Sequence, residues 1–387
     1  MAGMKTKDKI IDLKKYKGRK VLVTGHTGFK GSWLCVWLLN LGAEVIGISK
    51  EPYTKYDNFV MSKLNDRIVD LRGDVRDLEK MEEIFNRHKP EIVFHLAAQP
   101  LVRVSYEMPV ETYYINVIGT LNILECIRKS NSVQAGVIVT SDKCYENINQ
   151  IWGYKESDRL GGYDPYSASK ACAEIVTSSY INSFFNSKDY KKHGKLIATA
   201  RAGNVIGGGD WSKDRIVPDI IRALESKTSI EIRNPMATRP WQHVLEPIKG
   251  YLMLGEKMLD HKLECMGAWN FGPNSEDILT VEELVSKVIE LFGEGSYIIS
   301  KDSGPYESEL LNIDCTKAKS YLNWKPALHV EDAIKLTVEW YKNYKNINVF
   351  DFCTNQIKIF EKKSLQNKQG DNSIKDVMSE INESLSK

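Results

Sequence analysis

Three features of the sequence predict an α/β fold: a Rossmann doubly wound parallel sheet with a smaller mixed α/β C-terminal substrate lobe. Short apolar segments alternate with amphipathic ones early in the chain, a glycine triplet follows the first of them, and the alternation breaks after about residue 203. Residues 20–24 read as a short buried strand, and 31–41 as an apolar helix beyond a glycine-rich turn. Further strands are expected at 44–48, 68–72, 92–96, 137–140 and 196–201. Helical patterns at 78–87, 110–129 and 166–185 separate the later ones. Right-handed crossovers then place helices on both faces of a parallel sheet. The second part opens on the loop Gly207-Gly208-Gly209-Asp210 and mixes short strands with helices at 217–224, 281–292 and 330–344.

The chain has 387 residues, 42% hydrophobic and 27% charged, with a formal charge of +2. That length suits one large domain or two interleaved ones. So small a charge gives no strong field, and neither nucleic acid nor a membrane is expected as a partner. The seven cysteines are scattered without a CxxC pair. This argues against a disulfide framework or a metal site and for reduced thiols in a cytoplasmic setting. The N-terminus carries Lys and Asp without an apolar stretch, unlike a signal peptide. The greasiest run, from Trp33 to Ile48, is cut by Asn40, Gly42 and Glu44 and is too interrupted to span a membrane.

Gly25, Gly28 and Gly31 are spaced GxxGxxG between the first strand and the first helix. Gly25 permits a tight turn, Gly28 lets the backbone approach a pyrophosphate, and Gly31 lets helix and strand pack closely. The helix N-terminus attracts the anion. Thr27, Phe29 and Lys30 complete this cofactor loop. An NAD site usually ends its second strand in an acid that binds the ribose hydroxyls. Here Ser49-Lys50 stands instead, and Lys50 suits a 2′-phosphate, so NAD is expected with NADP not excluded. Asp74 and Val75 follow the third strand, placed to meet the adenine. Leu96, Ala97 and Ala98 end the fourth and leave space beside the backbone. On this reading residues 1–17 are a lead-in and 18–203 a dinucleotide-binding domain, to which some later segments return. Residues 204–362 are mainly a substrate-binding lobe, and 363–387 a polar tail.

Tyr166 and Lys170 share a helix face at i and i+4, after the helix-start signal Asp164-Pro165. The Lys charge is expected to lower the phenol's pKa, so that Tyr166 can take a proton from an alcohol as hydride leaves for a nicotinamide. Lys170 also reaches the nicotinamide ribose. The fifth strand ends in Thr140-Ser141-Asp142-Lys143. Ser141 can hydrogen-bond the hydroxyl being oxidised. Asp142 and Lys143 add an acid and a base candidate, and loss of water next to a ketone needs both.

At these positions the chain resembles the extended short-chain dehydrogenase/reductase family, and within it the CDP-glucose 4,6-dehydratases. The resemblance spans about residues 17 to 360. It is carried by Val23-Thr-Gly-His-Thr-Gly-Phe-Lys-Gly-Ser-Trp33, His95-Leu-Ala-Ala-Gln-Pro-Leu-Val-Arg103, Thr140-Ser-Asp-Lys-Cys-Tyr-Glu-Asn147, Arg201-Ala-Gly-Asn-Val-Ile-Gly-Gly-Gly-Asp-Trp211 and Arg239-Pro-Trp-Gln-His243. It implies that Ser141 and Tyr166 assist oxidation at C4 of a nucleotide-linked glucose. Lys143 then removes the C5 proton, Asp142 protonates the departing C6 hydroxyl, and the hydride returns to C6. Related dTDP-glucose enzymes carry Glu where Lys143 stands. The same resemblance implies Gln99, Asn204, Arg215 and Arg239 at the substrate, and a homodimer or homotetramer joined through helices near 110–129 and 166–185. Tyr306 stands where the family often has His. Trp241 and His243 receive no catalytic role. The competing readings are a nucleotide-sugar 4-epimerase, a dehydratase of another nucleotide sugar, and a non-catalytic dinucleotide-binding protein.

Overall fold

The computed structural model describes residues 13–300 and 311–366. Residues 1–12 of the lead-in, Tyr306 and the tail beyond 366 lie outside the described residues. Seven strands form the central sheet: β1 (Lys20–Thr24), β2 (Glu44–Ser49), β3 (Val69–Arg72), β4 (Ile92–His95), β5 (Ala135–Val139), β6 (Leu196–Arg201) and β7 (Gly267–Asn270). All neighbours are parallel, in the order β7-β6-β5-β4-β1-β2-β3. Thr24 at the end of β1 lies opposite Ile48 of β2 on one side and His95 of β4 on the other. The chain winds outward from β1 to β3, then crosses back to β4 and winds the other way. The strand connections therefore part between β1 and β4, which opens a crevice at the carboxyl ends of the strands.

Parallel strands covered on both faces read as continuous apolar runs, which is why the sequence announced them. Val21 and Val23 point into the larger core with Trp33, Trp37, Tyr251 and Leu252, from helices α1 (Phe29–Asn40) and Leu245–Leu259. Leu22 points into the opposite core with Met81, Phe85, Ile123 and Ile127, from Leu78–His88 and Gly119–Lys129. The alternation of Val21, Leu22 and Val23 between two cores is the period-2 geometry of a strand.

The second part holds three two-stranded ladders and the helices Ile216–Glu225, Val281–Phe292 and Val330–Asn343. Its Gly-rich loop is stitched to α1, where Trp33 Nε1 donates to the Gly208 carbonyl at 2.9 Å. Three features went unseen in the sequence. The run expected at 110–129 is Pro109–Tyr113 and Gly119–Lys129 joined by one widened turn, Tyr114–Ile118. Leu245–Leu259 buries almost its whole circumference, Glu246 and Lys249 included, so it shows no apolar stripe. The last helix, Val349–Gln366, runs past the tail boundary expected at 363. Lys363 there is buried, its ammonium 3.3 Å from the Asp332 carboxylate, so polar composition marked a packed helix as tail. Among the described residues the seven cysteines are unpaired and no helix is long and apolar enough to cross a membrane.

Candidate active site

The end of β1 turns sharply at Gly25, whose φ is +74°, a left-handed conformation that favours glycine. A Cβ there would lie 2.7 Å from the Ala97 backbone nitrogen, and one on Gly31 would overlap the Gly25 carbonyl. Both glycines are thus demanded by packing. Gly28 caps α1 without a side-chain hydrogen bond, and the first turn holds no acidic residue. The first amides of the helix therefore lack side-chain acceptors and present partial positive charge to the crevice.

A cleft of about 370 Å³ opens at this point. All fourteen residues expected at the cofactor line it: Gly25, Thr27, Gly28, Phe29, Lys30, Gly31, Ser49, Asp74, Val75, Leu96, Ala97, Ala98, Tyr166 and Lys170. The glycine cradle, the bare helix end and the small-residue wall fit a dinucleotide pyrophosphate. Thr27 Oγ1 lies 2.8 Å from Ser49 Oγ and donates to the Lys50 carbonyl at 3.1 Å, which ties the loop to the end of β2. Asp74 accepts from Arg76 Nε at 3.0 Å and from its terminal nitrogen at 2.6 Å, and Lys50 Nζ stands 3.1 Å away. Hydrogen bonding from Arg76 holds the Asp74 carboxyl well below the usual carboxylate range.

At the other end stands the helix α2 (Pro165–Phe184). It starts where the sequence placed it, with Asp164 accepting from the Ser167 amide at 2.9 Å and Pro165 in the first turn. Tyr166 and Lys170 are both buried, and Lys170 Nζ donates to the Val139 carbonyl at 3.3 Å. Burial lowers the Lys170 ammonium to about 8. The expected lowering of the phenol is not what this geometry gives. Burial pushes Tyr166 up to about 12, and the nearby Ser141 hydroxyl is the largest opposing influence. The physical reason is that desolvation of the phenolate outweighs neighbouring charge, and Lys170 spends a hydrogen bond on a backbone carbonyl.

Ser141 caps a single tight turn, Asp142–Cys144. Its hydroxyl donates to Asp142 Oδ1 at 2.9 Å and accepts from the Lys143 amide at 3.2 Å. Asp142 is buried over Gly203, where any Cβ would overlap its carboxylate. Lys143 is half-buried on the same turn. Ser141, Asp142 and Lys143 do not line the cleft themselves; Thr140, directly before them, does.

Of the four substrate candidates only Arg215 lines the cleft, its guanidinium 2.7 Å from the Asp210 carboxylate. Gln99 is turned away from it. Its amide donates to the Leu101 carbonyl at 3.1 Å and Thr112 Oγ1 at 2.9 Å and accepts from the Leu101 amide at 2.6 Å, so its side chain is spent on the loop. Asn204 adopts φ +52° and its carbonyl accepts from Gln242, while Arg239 donates to the Thr238 carbonyl at 2.8 Å on a two-stranded ladder. Neither reaches the cleft. His243 is fully buried and packs its ring edgewise on Trp33, a structural placement.

Sequence reasoning missed Glu51, Asp57 and Asp210 on the cleft wall, and Glu174 behind it. Glu174 is four residues beyond Lys170 on the same helical face, a spacing that was open to notice. Its carboxylate takes hydrogen bonds from Thr140, from Thr199 at 2.7 Å, and from Arg201 at 2.9 and 2.8 Å. It thereby fastens α2 to the ends of β5 and β6.

Comparison with known proteins follows the same outline. The family model described as GDP-mannose 4,6 dehydratase matches residues 22–337. A CDP-glucose 4,6-dehydratase of Salmonella typhimurium is 47% identical over 334 residues, covering 86% of this chain and 93% of that protein. Among solved structures, a dTDP-glucose 4,6-dehydratase of Bacillus anthracis in complex with NAD superposes with a TM-score of 0.69 at 22% identity, covering 87% and 100% of the two chains. A UDP-glucose 4-epimerase of Thermus thermophilus in complex with NAD gives 0.69 at 25% identity, covering 84% and 99%.

Proposed function

The chain belongs to the GDP-mannose 4,6 dehydratase family, and on that premise we propose that it is an NAD-dependent lyase converting CDP-glucose to its 4-keto-6-deoxy product. The observation that supports this reading is the tight turn Ser141-Asp142-Lys143 directly after Thr140 of the cleft wall, which offers an acid and a base candidate at the Tyr166 end. An epimerase needs no such pair. The nucleotide is assigned from the relative at 47% identity.

A nicotinamide in the cleft supplies a reversible hydride acceptor. As phenolate, a form that the positive charge of an oxidised nicotinamide beside it would favour against the burial that raises its pKa, Tyr166 would take the proton of the C4 hydroxyl, with Ser141 holding that oxygen, as the C4 hydride leaves. The C4 ketone acidifies the C5 hydrogen. Lys143 removes it, and Asp142 gives a proton to the departing C6 hydroxyl. The hydride would then return from the nicotinamide to C6, and the Lys143 ammonium would return a proton to C5. Arg215 is assigned to the sugar-nucleotide phosphates, for which its planar fork is suited. Residues 18–203 with β7 are assigned to the cofactor, and the remainder up to about residue 362 chiefly to the substrate. We further assign a cytoplasmic setting and a homodimer. Val110, Tyr114, Ile118, Ile175 and Phe184 are exposed on the helices around 110–118 and on α2, an apolar surface a second copy can cover.

The test is incubation with CDP-glucose and NAD, followed by alkali to reveal a 4-keto chromophore. The chromophore is expected, with UDP-, GDP- and dTDP-glucose turning over poorly. A C4-epimeric sugar without chromophore would refute the reading. For Lys143, the Ala variant should lose exchange of the C5 hydrogen with solvent in the 4-keto intermediate. Full exchange in that variant removes Lys143 from the role of base.

A further inference from the structure

We infer that Glu51 and Asp74 form the device by which the adenosine end of the cleft selects NAD over NADP. The inference rests on the assignment of the cleft to a nicotinamide dinucleotide. Tyr166 and Lys170 mark the hydride end, beside β5. The opposite end, at the tips of β2 and β3, is left for the adenosine. Its wall contains Ser49, Lys50, Glu51 and Asp74.

The acid expected at the tip of β2 is missing there, and Lys50 looked from the sequence like a ligand for a 2′-phosphate. The three-dimensional arrangement reverses that reading. Lys50 Nζ is drawn to Asp74 at 3.1 Å. The other two cations of this region are committed as well. Arg76 is forked onto Asp74 and bonds Glu111 at 2.6 Å. Arg72 meets Glu51 at 3.1 Å and also pairs with Asp70.

Three cations thus face four carboxylates, and of these four Glu51 and Asp74 stand on the cleft wall. A 2′-phosphate would carry close to two negative charges into this wall, since its second ionisation lies near neutral pH. It would have to take Lys50 or an arginine from an existing partner and stand beside the carboxylate it displaced. A ribose hydroxyl carries no charge and can donate to either carboxylate. The function usually given to an acid at the end of β2 is therefore divided between an acid two residues beyond the strand and one beyond β3.

The pairs are partly solvated, with Lys50 59% and Glu51 77% exposed at the side chain, so each contributes modestly and salt screens them. Removing both carboxylate charges frees Lys50 and takes away two like-charge contacts.

The test is calorimetric titration of the purified protein, freed of bound nucleotide, with NAD+ and separately with NADP+ at low ionic strength. The wild type, Glu51→Gln, Asp74→Asn and the double variant are compared. Wild type is expected to bind NAD+ the more tightly. The double variant is expected to move the ratio of the two dissociation constants toward NADP+ by about tenfold or more, and Glu51→Gln alone by a smaller factor. Glu51 is exposed, so its variant should fold and remain informative if Asp74→Asn does not. A ratio unchanged in Glu51→Gln and in every variant that folds overturns the inference, as does a wild type that prefers NADP+. Failure of the wild type to bind either dinucleotide would instead overturn the cofactor assignment, and this inference with it.

Discussion

Replacing Glu174 by Ala should remove a large part of the protein's stability and disorder the catalytic end of the cleft. Glu174 and Arg201 are each only 3% exposed at the side chain. Taking away one partner leaves a buried guanidinium with no carboxylate, held only by Tyr145 and the Glu156 carbonyl, which costs about 3–5 kcal/mol. Thr140 and Thr199 lose their acceptor as well, at about 1 kcal/mol each. The sum is about 5–7 kcal/mol, comparable with the about 5–15 kcal/mol that holds a typical domain folded. Glu174→Gln keeps the volume and an acceptor for the threonines and should lose less, about 3 kcal/mol, chiefly the charge on Arg201. Urea unfolding followed by tryptophan fluorescence gives both numbers. Because Thr140 precedes Ser141, the Gln variant should also lose turnover while it stays folded. A loss below about 1 kcal/mol for Glu174→Ala would refute the claim that this carboxylate fastens α2 to β5 and β6.

Tyr166→Phe should lower kcat by roughly 10²–10⁴ while leaving the dinucleotide dissociation constant within a few-fold, since only the hydroxyl that moves the proton is lost; a variant retaining a tenth of the activity would exclude that role. Acid should destabilise the fold through His95 and His243, both pushed down to about 3 by burial. The unfolded imidazole titrates near 6.5, so their contribution is complete above about pH 6.5 and is lost as the pH falls toward 3, at about 1.4 kcal/mol per pH unit for each. Urea stability measured from pH 7 to 5 checks this, and a His95→Asn variant that folds should show a shallower slope; an unchanged slope would count against it.

The parallel sheet was legible because its strands are apolar on both faces, and the cofactor loop because glycine is required at Gly31 by space and at Gly25 by space and a left-handed φ. The pair Tyr166 and Lys170 was legible from helical spacing. Its electrostatics were not, because burial, which raises Tyr166 and lowers Lys170, depends on neighbours distant in sequence. The same holds for Lys50. Its charge looks available in the sequence, but Asp74, in the loop beyond β3, stands beside it. Gln99 is expected at the substrate from the family resemblance, but Thr112 and Leu101 occupy its amide. The helix Leu245–Leu259 escaped notice because total burial erases the amphipathic pattern by which helices are recognised.

The central claim, that one hydride is lifted from C4 and set down on C6 of the same sugar, is tested most directly with CDP-glucose deuterated at C4 in ordinary water. The account predicts a 4-keto-6-deoxy product with deuterium at C6 and solvent hydrogen at C5. Deuterium retained at C4 of an epimeric sugar, or absent from C6 of a dehydrated one, would contradict it.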